Sequence, residues 1–385
     1  MWFFGRRQRH RETIGNRPAR VAIISRIPNP YRGPVYDLVA DDPGLDVTVL
    51  YCAPLEPNRQ WHLPARRARS IFLRERMIVL GDNRFVHINP DVWSHLRKIR
   101  PHVVVTNGYN VTDIIGIFYA IIHGAKHVSH TDGTLDSEAN LTVLHRLVRR
   151  FVSRCTVAYI GPSRGSLELF KSWGVREKSV FLSCLAVDNE AFNAAICSVP
   201  VDDLVFSGRL TETKNPIFVV RVAARLARLL NRPVSIRFIG DGPLRATVED
   251  TARTLGVPVR MCGFLEQDRL PMAYAGGSVF VFPTRWEPWG LVVNEAAAAG
   301  LPIVVSPEAG AGRELVVPNR NGFRIPLEEA LWADAIAALL RDGELRGRFG
   351  LESQSLVSPY SWKNSAEGYV AALRYALLAA GTSPR

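Results

Sequence analysis

One stretch decides the fold of this chain: Phe282-Pro-Thr-Arg-Trp-Glu-Pro-Trp-Gly-Leu-Val-Val-Asn-Glu-Ala-Ala-Ala-Ala-Gly300. The apolar run 279–282 before the loop is typical of a buried parallel strand, and the alanines near its end are typical of a helix that stops at glycine. This pattern places Glu287 in a loop at a strand's carboxyl end and Glu295 inside the next helix. In open α/β sheets ligands bind at this edge, where a helix start offers N–H groups to a phosphate.

The two glutamates of this stretch are eight positions apart. If Glu295 lies about one turn into the helix, both carboxylates face the same cleft. A solvated loop glutamate followed by a surface helix glutamate would have the same spacing. From spacing alone, both interpretations stay open.

The wider context resembles a known enzyme family. Glu287 and Glu295 enclose Pro288, Gly290 and Leu291, and this arrangement is similar to the E-x7-E signature of retaining, family-4 glycosyltransferases. The segments 296–306 and 310–315 resemble the same family, and the resemblance is strong over 203–326. It implies the α/β fold called GT-B, in which two Rossmann-like domains face each other across a deep cleft.

The domain organisation follows from alternating strand and helix patterns in both halves, which predict doubly wound parallel sheets. A chain of 385 residues is also too long for one core. We expect a basic mobile arm at 1–20, an acceptor-side domain at 21–198 and a nucleotide-sugar donor domain at 199–361. The resemblance implies that a helix at 362–383 returns to the first domain.

The predicted strands are short apolar runs. In the first half they lie at 21–25, 46–51, 86–89, 103–107, 126–130, 157–162 and 180–185, and in the second at 204–207, 235–239, 260–263, 279–282 and 303–306. Helical patterns separate several of them, as in parallel sheets.

A loop with two cations follows the first strand of the second half. Gly208, Arg209 and Lys214 resemble the family's G-R-L-x3-K segment, although Asn215 stands where the family usually has glycine. Two cations and a helix N-terminus would stabilise a departing nucleoside diphosphate. Outside this context, an ordinary surface arginine and lysine would be the commoner explanation.

Further strand-end residues complete the expected nucleotide-sugar site. A glycine in a strand–helix loop lets a ligand approach the backbone, although any tight turn also accepts glycine. The resemblance implies that Glu287 bonds the donor sugar, that Glu295 bonds the ribose and that Gly290 and Leu291 hold the phosphate. The other expected contacts are Gly33, Gly240, Gly263 and Phe264.

The first half contributes His130 and Asp132, which follow a predicted strand. The histidine would bond the donor sugar or steer the acceptor hydroxyl, and Asp132 would serve as a base. A structural histidine bonded to backbone would fit this position too. Neither Asp41-Asp42 nor Asp202-Asp203 forms a DxD motif. We therefore expect no cofactor and a metal-independent reaction.

Charge and composition indicate the compartment and partners. Of the formal net charge of +12, residues 1–200 carry +10, from 27 Lys or Arg against 17 Asp or Glu. The five scattered cysteines and the absence of a bilayer-length apolar run favour a cytoplasmic protein. The basic half predicts a peripheral position at an anionic membrane, where the acceptor would be lipid-linked or a saccharide.

One amphipathic pattern, at 138–155, carries part of this charge. We expect its apolar stripe to pack on the protein's own sheet and its arginines to face anionic lipid. The stripe is Leu141, Leu144, Val148, Phe151 and Val152, and the arginines are Arg146, Arg149, Arg150 and Arg154.

Two alternatives remain. A basic nucleic-acid-binding protein would explain the charge, but no zinc finger or RNP-like aromatic signature supports it. A GT-B epimerase or phosphorylase would share the fold, but no segment matches the lysine that pyridoxal phosphate needs. We expect no nucleic acid partner.

Overall fold

The computed structural model describes residues 17–57, 59, 61, 66–81, 84–139, 141–195 and 201–379. Most of the arm expected at 1–20, residues 196–200 around the expected domain boundary and the end of the helix expected at 362–383 lie outside these residues. The chain divides into two compact units. The first contains described residues 17–183 and 365–379, and the second is Cys184–Asn364. The division falls at Ser183, ahead of the boundary expected near 198.

The first unit's elements alternate as the apolar runs predict. Its strands are β1 (Ala19–Ser25), β2 (Leu45–Tyr51), β3 (Arg69–Phe72), β4 (Met77–Gly81), β5 (Arg84–His87), β6 (Val103–Asn107), β7 (Lys126–His130), β8 (Thr156–Gly161) and β9 (Val180–Leu182). Its helices are α1 (Gly33–Ala40), α2 (Val92–Ile99), α3 (Val111–His123), α4 (Leu135–Glu138), α5 (Val143–Cys155), α6 (Arg164–Ser172) and the 3₁₀ helix Glu177–Ser179.

The second unit continues the alternation. Its strands are β10 (Asp202–Ser207), β11 (Ile236–Ile239), β12 (Val259–Met261), β13 (Gly277–Phe282), β14 (Ile303–Val305) and β15 (Gly322–Arg324). Its helices are α7 (Asn189–Ala194), α8 (Pro216–Leu230), α9 (Arg245–Thr254), α10 (Leu270–Tyr274), α11 (Leu291–Ala298), α12 (Gly310–Leu315), α13 (Glu329–Arg341) and α14 (Gly343–Val357). The last helix, α15 (Trp362–Leu378), ends the described chain.

The first unit is built on a parallel sheet. Within the described residues it has seven strands in the order β3-β2-β1-β6-β7-β8-β9. Val21 of β1 pairs in register with Val47 on one side and Val103 on the other. All three are buried, as expected for strands covered on both faces.

One predicted strand belongs elsewhere. The run expected at 86–89 is not part of this sheet, because β5 pairs antiparallel with β4 in a separate hairpin. The prediction was wrong in its placement, since an apolar run does not specify which strand it pairs with.

The second unit is also built on a parallel sheet, whose described strands have the order β12-β11-β10-β13-β14-β15. Phe206, Phe238 and Trp332 are fully buried in its core. The expected α/β architecture with parallel sheets is therefore confirmed for each unit. Because β10 to β14 run in the same direction, the loops after them meet at one edge of the sheet.

Most of α15 belongs to the first unit. Tyr369 is fully buried, and its ring lies 5.8 Å from the ring of Tyr36 in an edge-on contact. Gly368 lies against the end of β9, where a Cβ atom would stand 1.8 Å from the carbonyl oxygen of Leu182. Glycine therefore sets how closely this helix approaches the strand.

Replacing Gly368 with alanine should destabilise the protein. The added methyl has no space, and overpacking of this kind costs about 1–3 kcal/mol. Gly347 in α14 is the matched control, because its Cβ would meet nothing within 4 Å. Gly347→Ala should stabilise by up to about 1 kcal/mol through helix propensity. Urea unfolding of both variants checks this, and equal changes would contradict the close contact.

Candidate functional site

Four expected site residues of the second unit meet around the ring of Phe282, the last residue of β13. The ammonium of Lys214 lies 5.4 Å from the ring centroid and forms an ion pair with Glu287. A Cβ atom on Gly290 would stand 3.1 Å from this ring, and one on Gly208 would stand 3.9 Å from it. The sequence therefore brings a cation, a carboxylate and two glycine backbones to one place.

Backbone hydrogen bonds hold the loop that carries Glu287. The hydroxyl of Thr284 donates to the carbonyl oxygen of Thr213 at 3.1 Å, which joins this loop to the one that carries Lys214. The N–H of Glu287 donates to the carbonyl of Glu308 at 3.2 Å, and its own carbonyl accepts from Gly310 at 3.0 Å. The ion pair is thus formed between two anchored loops.

The start of α11 is suited to an anion. Gly290 precedes the helix with a φ of +94°, in the left-handed region that favours glycine. Within the described part of the chain, the N–H groups of Gly290 and Leu291 have no backbone acceptor outside the helix. The start of a helix is the positive end of its dipole, and Glu287, the partner of Lys214, lies in the loop just before it.

Close packing explains the glycines at the next strand ends. The N–H of Gly208 donates to Ile239 at 2.9 Å, and the N–H of Gly240 donates to the carbonyl of Gly263 at 2.8 Å. A Cβ atom on Gly240 would stand 2.2 Å from the carbonyl oxygen of Gly208. The structure therefore places these three glycines side by side along one edge.

Arg209 and Phe264 are exposed at the same edge. Arg209 has no carboxylate within 4 Å among the described residues, so its charge is available to a ligand. Asn215 adopts a left-handed φ of +56° just before α8. Asparagine tolerates this region, which explains how it can stand where the family has glycine.

Glu295 lies inside the second unit and is not part of the Lys214–Glu287 ion pair. It is the fifth residue of α11, and only 2% of its surface is exposed. The hydroxyl of Tyr274 donates to its Oε2 at 2.6 Å. A buried carboxylate held in this way has a fixed orientation.

His130 ends β7 in the first unit and is 4% exposed. Its Nε2 lies 3.2 Å from Nη2 of Arg32, which also donates through Nη1 to the carbonyl of Ser183 at 2.9 Å. A guanidinium only donates, so Nε2 accepts and the proton of the neutral ring lies on Nδ1. Within the described residues, this buried Nδ1 has no partner. Burial and the charge of Arg32 lower the pKa of His130 well below its usual value, so the ring is neutral at pH 7.

Asp132 and Gly33 differ in accessibility. The side chain of Asp132 is 68% exposed, and its Oδ1 lies 3.8 Å from Nε2 of His130. Gly33 is covered, because a Cβ atom there would stand 2.7 Å from Nε of Arg66. Its N–H donates to the carbonyl of Asn29 at 3.0 Å. A ligand near Gly33 would therefore meet the Arg66 guanidinium first.

The helix α5 corrects the expected arrangement of the amphipathic pattern. Leu144 of the stripe is 69% exposed, so the expectation that the stripe is covered was wrong for this residue. Val152 is buried, and Leu141, Val148 and Phe151 are partly buried. Arg149 does not face solvent either. It donates two hydrogen bonds to Glu138, at 3.0 and 3.1 Å, and its guanidinium lies 3.6 Å from the ring centroid of Tyr109.

Sequence reasoning missed three residues that shape these sites: Phe282, Tyr274 and Arg32. Phe282 ends an apolar run, and its pattern is that of a core residue. Tyr274 and Arg32 act through contacts with residues far along the chain. No local signal identifies such partners. Among the described residues, no group of three or more His, Cys, Asp or Glu side chains is arranged to hold a metal ion.

Comparison with known sequences identifies a family match in the second unit. Residues 200–355 match the family described as Glycosyl transferases group 1. The chain is similar to sulfoquinovosyl transferase SQD2 of Arabidopsis thaliana, with 29% identity over 228 residues, 56% of this chain and 44% of that protein. It is also similar to D-inositol 3-phosphate glycosyltransferase of Nocardia farcinica, with 30% identity over 201 residues, 49% of this chain and 44% of that protein. The match therefore spans less than half the length of either relative.

Comparison with solved structures concerns the fold. HepE of Anabaena, crystallised with UDP and glucose, has a TM-score of 0.70 and 18% identity, and the match covers 92% of this chain and 99% of that one. At this identity the likeness shows the fold alone. The expected GT-B fold is thereby confirmed.

The lowered pKa of His130 predicts how stability depends on pH. Below about pH 6.5 the unfolded chain binds a proton at this histidine that the folded chain does not. The free energy of unfolding therefore decreases as the pH is lowered. His130→Gln should remove up to about 1.4 kcal/mol per pH unit from this slope. His127→Gln is a positive control, because burial lowers the pKa of His127 to about 3. Urea unfolding between pH 7.5 and 4.5 checks this, and a slope unchanged by His130→Gln would contradict it.

Proposed function

We propose that this protein is a retaining glycosyltransferase of family 4. It would move a sugar from a nucleoside-diphosphate sugar to a lipid-linked or saccharide acceptor in the synthesis of a cell-surface or exopolysaccharide glycoconjugate. One observation carries the proposal. The Lys214–Glu287 ion pair lies at the N-terminus of α11, inside the segment that matches the glycosyltransferase family.

The second unit would stabilise the leaving group. In the reaction the bond between the anomeric carbon and the diphosphate oxygen breaks, and negative charge develops on the diphosphate. Lys214, Arg209 and the N–H groups of Gly290 and Leu291 supply positive charge and donors for it. The acceptor oxygen bonds the anomeric carbon on the face that the diphosphate leaves, and its proton passes to the carboxylate of Asp132. No enzyme nucleophile and no metal ion is required.

In this proposal, Lys214 and Glu287 exchange partners when the substrate binds. Without a ligand, Lys214 is neutralised by Glu287. A bound diphosphate would compete for the ammonium, because it carries more negative charge than one carboxylate. Glu287 would then turn to a hydroxyl of the donor sugar. The ion pair is thus a resting contact that the substrate replaces.

The remaining residues have supporting roles in this proposal. Glu295, oriented by Tyr274, would bind the ribose hydroxyls. In the first unit, the Nδ1–H of His130 is a buried donor for a sugar hydroxyl, and Asp132 is an exposed base for an acceptor hydroxyl. The backbone of Gly33 would contact the nucleotide sugar, and the Arg66 guanidinium that covers it would limit this access.

A thermal-shift panel tests the proposal. UDP, GDP, ADP and their sugars are each added to the full chain in the presence of EDTA, because a ligand that binds only the folded state raises the melting temperature. We expect one nucleotide and its sugar to stabilise the protein, and turnover of that sugar to survive EDTA. No shift with any nucleotide, together with salt-sensitive retention on duplex DNA, would favour the nucleic-acid alternative.

Variants of the ion pair should separate binding from turnover. Lys214→Met should weaken nucleoside diphosphate binding and lower kcat/KM by about 10²-fold or more, as for loss of one preorganised electrostatic group. Glu287→Gln should lower kcat while diphosphate affinity stays equal or becomes tighter, because Lys214 loses its competing partner. Lys178→Met, at an exposed site, is the control. Weaker diphosphate binding in Glu287→Gln would contradict the exchange.

The first unit has a surface that fits a peripheral position at an anionic membrane. We call it the α3–α5 surface. Its exposed apolar residues, each 47–73% accessible, are Phe118, Ile121, Ile122, Val143, Leu144 and Leu147. The rings of Phe118 and Phe151 lie 5.4 Å apart and join the two helices. Exposed apolar side chains beside exposed Arg146, Arg150 and Arg154 are typical of a lipid-binding face. Among the described residues, no helix is long and apolar enough to cross a bilayer.

We propose a cytoplasmic location for this peripheral protein, and vesicle binding tests its attachment to the membrane. Vesicles with anionic lipid should sediment the protein at low salt, and neutral vesicles should not, because each Arg near the surface contributes about 1 kcal/mol. Replacing Leu144 and Leu147 with Gln, or Arg146, Arg150 and Arg154 with Gln, should weaken sedimentation. Leu351→Gln is the matched control, since Leu351 is 69% exposed on α14. Equal sedimentation by both vesicle types, or by neither, would rule out this attachment.

A further inference from the structure

A cavity of about 650 Å³ opens on the first unit, away from the residues of the proposed reaction. Its wall includes Arg20 near the start of β1, His102 before β6 and Lys126 at the start of β7. It therefore lies at the amino-terminal edge of the sheet, whereas His130 ends a strand at the opposite edge. Its volume is within the range of about 300–1,000 Å³ that is usual for small-molecule sites.

The cavity is strongly basic. Four of its lining residues are cations, namely Arg20, Arg97, Arg100 and Lys126, and no lining residue is acidic. Within the described part of the chain, none of the four has a carboxylate within 4 Å. Asp46 pairs with Arg20 in the register of β1 and β2 but does not line the cavity. Like charges around a concave surface concentrate a positive potential there, which attracts an anion.

Few of the side-chain donors of these four cations bond to the protein itself. Arg20 donates through Nε to the carbonyl oxygen of Arg100 at 2.8 Å, where α2 ends in a left-handed residue. Cations in this position also offset the negative end of the helix. Among the described residues, the other side-chain donors of Arg20 and the side chains of Arg97, Arg100 and Lys126 make no hydrogen bond.

The remaining polar wall donates as well. The backbone N–H of Arg20 donates to Nδ1 of His102 at 3.0 Å, so the ring proton lies on Nε2. Burial and the charge of Arg20 lower the pKa of His102, so the ring is neutral at pH 7 and Nε2–H is a donor. The rings of Tyr119 and His123 stack at 4.1 Å and form the aromatic side of the cavity.

We propose that this cavity binds a phosphate-bearing ligand through Arg20, Arg97, Arg100 and Lys126. Guanidinium groups match pairs of phosphate oxygens, and four cations match an oligophosphate better than a single carboxylate. The phosphate could belong to a soluble oligophosphate or to a lipid headgroup. The second source is open because Ile121 and Ile122 of the α3–α5 surface directly precede His123 in α3.

Tripolyphosphate is the probe for the first test. Its affinity for the full chain is measured by calorimetry at constant ionic strength, with chloride as the reference anion. Arg97→Gln with Arg100→Gln should lower the affinity by about tenfold or more for each arginine, the usual effect of losing a hydrogen bond to a charged group. The control is Arg225→Gln with Arg228→Gln, which removes two exposed arginines from α8. Equal affinity in the two double variants would overturn the proposal.

A background variant separates this cavity from the proposed donor site, which also attracts phosphate. In Lys214→Met, the tripolyphosphate binding that depends on Arg97 and Arg100 should remain. UDP affinity should be the same in Arg97→Gln/Arg100→Gln as in the unchanged protein. If all tripolyphosphate binding disappears with Lys214, the cavity does not bind phosphate. If Arg97→Gln/Arg100→Gln lowers the melting temperature, Lys126→Gln takes its place with the same expected result.

Vesicles distinguish the two sources. Sedimentation with phosphatidate vesicles is compared with tripolyphosphate binding in the same double variant. If the double variant loses tripolyphosphate binding but still sediments with the vesicles, the ligand is soluble. If it loses sedimentation, whether or not tripolyphosphate binding is also lost, the ligand is a lipid headgroup. Unchanged binding in both measurements overturns the proposal.

Discussion

The ring of Phe282 sets the spacing of the candidate donor site. It is almost fully buried at the end of β13, and Gly208, Lys214 and Gly290 all lie against it. A Cβ atom at Gly290 would stand only 3.1 Å from this ring, so the start of α11 packs closely against the end of β13. The ion pair between Lys214 and Glu287 joins the loops after β10 and β13.

The ion pair also gives each of its two charges a partner within the protein. Two half-buried charges that face each other avoid the cost of an unpaired buried charge. The same contact holds the cation near the start of α11, where the proposed diphosphate would bind.

Much of the fold could be predicted because strands and helices are indicated by local patterns of apolar residues. The strand predicted at 103–107 is β6, and the strand predicted at 126–130 is β7. The short strands β3 and β15 escaped prediction, since Arg69–Phe72 and Gly322–Arg324 have no apolar run. The side on which an amphipathic helix packs is a tertiary property, so periodicity alone could not orient Leu144 of α5.

The candidate site could be predicted only in part, for the same reason. Glu287 and Lys214 were found from motifs, but their pairing joins residues 73 positions apart. The contact between Tyr274 and Glu295 and the contact between Arg32 and His130 also depend on the folded chain. A motif names the residues that carry charge, whereas packing decides which of those charges face each other.

Net charge illustrates this limit most clearly. The count of +10 over residues 1–200 treats every arginine alike. In the folded unit, Arg32 and Arg149 are partly or fully buried against polar partners within the same unit, so they do not act on a distant anion. Arg97 and Arg100 instead line a cavity without acidic neighbours, and Arg146 and Arg150 are exposed on α5. The charge that reaches solvent is therefore concentrated on particular faces, and those faces determine which anions the first unit attracts.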